Sequence, residues 1–197
     1  MSIEIGALSS EIHMLKMPKG DKQLIAFTIG HSTRPIEDFV ALLTAHGISR
    51  LVDVRTVPRS RTNPQFNKDT LPASLKKAKI VYAHVAELGG LRKPKPNSQN
   101  AAWRNLSFRG YADHMQTEEF ARGLDKLFKW MKKDRIALMC AEAVPWRCHR
   151  SLIADALTVR GVRVKEIVSV KKTKVHKMTP FAKVDETTVT YPEELAA

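Results

Sequence analysis

Two thiols, a carboxylate, an imidazole and two guanidinium groups fall in one short segment, Cys140-Ala-Glu-Ala-Val-Pro-Trp-Arg-Cys148-His149-Arg150. These are the groups from which nucleophilic, acid–base and anion-binding chemistry is built. The apolar run Ile136-Ala-Leu-Met139 before the segment reads as a buried strand. Ser151-Leu-Ile-Ala-Asp-Ala-Leu-Thr-Val159 after it reads as a helix. The segment is therefore a strand-end loop that opens a helix, and the helix N-terminus adds free backbone N–H groups and positive dipole charge. A thiol beside arginines in such a place has a lowered pKa. Cys140 is the expected nucleophile and Glu142 the expected acid or base, with Arg147 and Arg150 as anion contacts. Each has a plainer alternative: Cys140 as a small buried strand-end residue, and Glu142 as an ion-pair partner of Arg55 or Arg150.

The elements that must position these groups alternate. Gln23–Ile29 reads as a first strand, followed by the loop Gly30-His31-Ser32-Thr33-Arg34. Pro35 opens a helix with Glu37 and Asp38 in its first turn, an apolar face of Ile36, Phe39, Val40, Leu42 and Leu43, and Gly47 at its end. Arg50–Val54 is a second strand, so the first two form a βαβ unit and run parallel. A loop over 55–79 carries a short helix near 71–78, and Ile80–His84 is a third strand. Residues 87–110 are a long loop without periodicity, and Tyr111–Lys132 reads as one amphipathic helix. After the Cys140 strand and its helix, Gly161 breaks the chain and Val162–Val168 is the last strand. The segment from Ser169 is basic at first and acidic at its end.

This order predicts an α/β fold: a three-layer, open, mostly parallel sheet with helices on both faces. Ligands of such sheets bind beyond the carboxyl ends of the strands. His31 and Ser32 follow one strand, Asp53 and Arg55 end another, and Cys140 and Glu142 end a third. The predicted site therefore has Cys140, Glu142, His31 and Asp53 as catalytic groups. Arg55, Arg147, Arg150 and Ser32 are its anion contacts. No metal is expected; Cys140, Cys148 and His149, with His31, are the alternative zinc set, at a spacing that matches no recognised zinc pattern. No cofactor is expected.

The domain boundaries follow composition. Residues 1–22 read as an extension, 23–180 as a single domain and 181–197 as a tail. Hydrophobic residues make up 43% of the 197, ordinary for a globular chain. No run approaches the roughly 18 apolar residues of a membrane span, and the N-terminus lacks a secretory pattern. Two cysteines do not make a disulfide framework, so a cytoplasmic location is expected. Thirty-three Lys and Arg against twenty Asp and Glu give a net charge of +13, which points to phosphate-bearing partners. Trp103, Phe108 and Tyr111, with Arg104 and Arg109 among them, read either as a nucleic-acid contact or as core packing.

Thr28-Ile-Gly-His-Ser32, Asp53-Val-Arg55 with Pro58 and Ser60, Leu88-Gly-Gly90, and Cys140-Ala-Glu142 followed by Pro145-Trp-Arg-Cys-His-Arg150 resemble, in order, the motifs of the bacterial family called domain of unknown function 488. The resemblance runs from about residue 25 to about residue 180. It implies a three-layer α/β domain with a site built from these motifs, and it implies no particular activity. The expected function is an enzyme acting on a small anionic or nucleotide-like substrate at the sheet edge. The alternative is a basic nucleic-acid-associated module, or an enzyme acting on nucleic acid. The oligomeric state is open.

Overall fold

The computed structural model describes residues 23–193; the proposed extension over 1–22 lies outside them. Six strands form the main sheet: β1 (Ile25–Gly30), β2 (Arg50–Asp53), β3 (Val81–His84), β4 (Ile136–Cys140), β5 (Arg163–Ser169) and β6 (Lys172–Val175). Their order is β3-β2-β4-β1-β5-β6. The first five run parallel, and β6 pairs antiparallel to β5 at the edge. The predicted βαβ unit is present, with β4 inserted between its two strands.

Central strands of a parallel sheet are covered on both faces, so their residues are apolar without interruption. In β4, Ile136, Leu138 and Cys140 face one core, while Ala137 and Met139 face the other. The first core packs α3 (Leu106–His114), α4 (Glu118–Met131) and α5 (Arg150–Thr158) against the sheet through residues such as Tyr111, Leu127 and Leu152. The second packs α1 (Ile36–Ala45) and α2 (Leu71–Lys77) through Phe39, Leu43, Leu71 and Leu75. The three-layer α/β architecture is the one expected.

Two expectations change. The single helix over 111–132 is two helices. The first ends at His114 and Thr117 caps the next, its hydroxyl accepting from the Phe120 N–H at 3.3 Å, with Glu118 and Glu119 in the new first turn. The chain beyond 169 is largely structured: after β6, strands β7 (Lys183–Asp185) and β8 (Thr188–Thr190) form a hairpin, and Tyr191 is fully buried in the first core. Among the described residues no helix is long and apolar enough to cross a membrane.

Candidate functional site

Because β1, β2, β3 and β4 are parallel, Gly30, Asp53, His84 and Cys140 end on one edge, and Gly30 lies directly beside Cys140 in register. The ladder continues past the strands: the His31 N–H donates to Cys140 O and the Ser32 N–H to Ala141 O, both at 2.9 Å. Ser32 takes a left-handed conformation at φ 52°, unfavourable for a residue with a Cβ. This backbone contact needs Gly30, since a Cβ there would lie 1.8 Å from Glu142 O.

Asp53 and Arg55 are bound to each other. Arg55 Nε donates to Asp53 Oδ1 at 2.9 Å and Nη2 to Oδ2 at 2.6 Å, a bidentate pair. Arg55 Nη2 also donates to Phe66 O at 2.6 Å, and the Tyr82 hydroxyl donates to Asp53 Oδ2 at 2.8 Å. His31 donates from Nδ1 to Ser32 O at 2.7 Å, so its Nε2 accepts from Arg55 Nη1 at 3.2 Å. Burial, with the Arg55 charge nearby, lowers the His31 pKa to about 4, so the ring is neutral. Its face stacks on Phe66 with centroids 4.2 Å apart. The structure thus sets His31 and Asp53, expected as catalytic groups, and Arg55, expected as an anion contact, against one another. Their hydrogen-bonding atoms are directed at one another and all three are buried, so they brace the edge. Tyr82 and Phe66 complete the brace and were not singled out by sequence; only the strand register places Tyr82 beside β2.

The thiols form a second centre. Cys140 and Cys148 are free and buried, and each acts on the other's ionisation. Cys140 Sγ donates to Glu142 O at 3.7 Å, a contact that requires a proton on sulfur. Cys148 Sγ accepts from the Arg150 backbone N–H at 3.4 Å and lies 3.6 Å from His149 Nδ1. The contact with Cys140, then His149 and the Arg150 charge, hold the Cys148 thiol well below its usual range, while the contact with Cys148 and burial push Cys140 up. These surroundings favour the ionised form at Cys148 over Cys140, the thiol expected as the nucleophile. His149 Nε2 donates to Val54 O at 2.9 Å, which orients its ring. Gly90 packs on that ring: a Cβ there would lie 2.4 Å from His149 Nδ1.

Arg150 is 1% exposed, and no nitrogen of its guanidinium has a hydrogen-bond partner among the described residues. A buried cation without partners is costly unless a countercharge sits beside it. Its charge acts on Cys148, Cys140 and the half-buried Glu166 of β5. Arg150 is thus enclosed with the thiols, while Arg147 and Glu142 are exposed on the loop above them. Trp146 is 70% exposed there. Glu142, Trp146 and Arg147 line a cavity of about 500 Å³ together with Trp103, Asn105 and Phe108. Trp103 and Phe108 stack on each other at 4.7 Å, and Trp103 packs on the first core as well. Among the described residues, no group of three His, Cys, Asp or Glu side chains is arranged to hold a metal ion.

No curated protein and no solved structure gives a significant match. The family profile described as Domain of unknown function DUF488 matches residues 35–157, more than half of the chain. The match takes in the Asp53–Arg55 brace, the thiol centre and all but Thr158 of α5, and leaves β1 and the segment from β5 onward outside. On that match the chain belongs to the DUF488 family.

Proposed function

We propose that this protein is a cysteine-dependent enzyme that acts on a small anionic, nucleotide-like substrate at the carboxyl edge of its sheet. The observation that carries this reading is the buried Arg150 guanidinium, which has no hydrogen-bond partner among the described residues and whose charge acts on the Cys148 thiol and the half-buried Glu166. A thiolate is the nucleophilic form of cysteine, and His149 is held beside it by the Val54 carbonyl. The exposed Arg147 supplies a planar fork for a phosphate at the loop above. In a transfer or hydrolysis, Cys148 Sγ bonds to the electrophilic centre as the bond to the leaving group breaks. The leaving group takes a proton from water, and a second water or acceptor cleaves the adduct and returns the thiolate.

The test incubates the full chain with nucleoside mono-, di- and triphosphates and follows their consumption by mass spectrometry. Consumption by the wild type, lost in Cys148→Ser and retained in part by Cys140→Ser, is expected. Unchanged consumption in Cys148→Ser overturns the mechanism, as does an ultraviolet titration showing no thiolate near neutral pH. A second reading, association with nucleic acid, draws on the +13 charge and on exposed Arg59, Arg61 and Lys68 in the loop after β2. It requires binding that weakens steeply with salt.

A further inference from the structure

We propose that the cavity lined by the loop after β4 is a guanine-mononucleotide pocket, walled by Trp103, Phe108 and Trp146, with Glu142 and Asn105 reading the base edge and Arg147 holding the phosphate. This rests on the reading of the edge as a site for a nucleotide-like anion and names the ligand. About 500 Å³ is within the range of small-molecule sites. Another cavity, about 350 Å³ between α1 and α2, has no aromatic wall and shares no residue with the thiol loop.

The walls suit a planar ring. Trp103 is fixed from behind by Phe181 at 4.9 Å and Tyr191 at 5.5 Å, so the Trp103–Phe108 stack is a rigid surface. Trp146 presents a large apolar face to solvent from the opposing loop, an exposure that a stacked base removes. Stacking alone accepts any base, so the polar groups decide which one. Neither Glu142 nor Arg147 has an ion-pair partner among the described residues, although opposite charges share the cavity. A carboxylate offers two acceptor oxygens side by side. Guanine presents two adjacent donors, N1–H and the 2-amino group. Adenine, cytosine and uracil each place an acceptor next to the donor, which a carboxylate repels. The Asn105 side-chain oxygen accepts from the Ser107 and Phe108 N–H groups at 2.9 and 3.3 Å. Its amide NH2 is left as a donor, matching guanine O6. Arg147 offers the fork that binds phosphate oxygens.

Titration calorimetry of the full chain with GMP, IMP, AMP, UMP and inorganic phosphate tests this. GMP is expected to bind at least about tenfold more tightly than IMP or AMP, the scale of a lost charge-assisted hydrogen bond. Glu142→Gln removes that preference and leaves AMP binding unchanged. Trp146→Ala weakens every nucleotide by about tenfold, and Arg147→Ala weakens GMP but not guanosine. Equal affinity for all bases, unchanged GMP affinity in Glu142→Gln, or binding only of a guanine-containing oligonucleotide overturns the proposal. If GMP does not bind while another nucleotide is consumed in a Cys148-dependent way, the pocket assignment falls and the enzyme reading stands. If GMP binds and nothing is consumed, the reverse holds.

Discussion

At the scale of single residues, the carboxyl edge separates groups that brace from groups that face solvent. Asp53, Arg55, His31 and Tyr82 close a buried network in which each polar atom has a partner. The neutral state of His31 makes this network sensitive to acid. Its pKa is about 4 in the fold and about 6.5 in an unfolded chain. Between those values the unfolded state binds the extra proton, so stability falls as pH drops through that window and is unaffected above it. The loss reaches at most roughly 3 kcal/mol at the lower end. Urea melts across the window are expected to show this slope in the wild type and a shallower one in His31→Gln. Identical slopes would mean that His31 is protonated in the fold. Cys148 and Arg150 are the complementary case: the Arg150 charge is among the causes that lower the Cys148 thiol.

At the scale of elements, the site depends on how closely β1 approaches the loop after β4. Gly30→Ala places a Cβ 1.8 Å from Glu142 O and 2.9 Å from Ala143 Cα, both backbone atoms that cannot rotate away. The loop must move, at a cost of about 1–3 kcal/mol or more, and with it Glu142. Thermal melts should show that loss. Gly161→Ala is the control: its added Cβ meets nothing within 4 Å, and only the φ of +80° opposes it, about 1–2 kcal/mol. Equal behaviour of the two variants would count against the close approach. Helix α5 does two jobs. Its N-terminus carries Arg150 beside the thiols, and Asp155 one turn on is buried and accepts from His176, Thr179 and the Tyr191 hydroxyl.

At the scale of the whole molecule, Asp155 ties the chain's last strands to the domain. The Tyr191 hydroxyl donates to Asp155 at 2.8 Å and its N–H to Asn100 Oδ1 at 2.9 Å, while Asn100 Nδ2 donates to Asp113 on α3. This chain of bonds joins α5, the long loop and α3, and it backs the Trp103 wall. Tyr191→Phe keeps the ring and loses one hydrogen bond to a buried carboxylate, an expected cost of about 1.5–3 kcal/mol in urea unfolding. No measurable change would show that the hydroxyl is not shared with Asp155. The segment expected as a tail over 181–197 thus contributes Phe181, Val189 and Tyr191 to the first core.

The amino-acid sequence by itself determined the layer order, because uninterrupted apolar runs such as Ile136–Met139 suit only a sheet covered on both faces, and the helices between them carry one apolar face each. It also determined which strand ends share an edge, since parallel strands put Gly30, Asp53 and Cys140 at the same end. The break between α3 and α4 was written in Thr117-Glu118-Glu119, a capping pattern outweighed by the apolar periodicity around it. Tertiary structure decided the surroundings of each thiol: Cys140 donates to the Glu142 carbonyl, while Cys148 accepts from the Arg150 N–H and lies beside His149. It also decided that Arg55 is spent on Asp53 while Arg147 faces the cavity. Pairing across strands and the depth of each arginine depend on contacts between residues far apart in the chain, which composition and spacing do not encode.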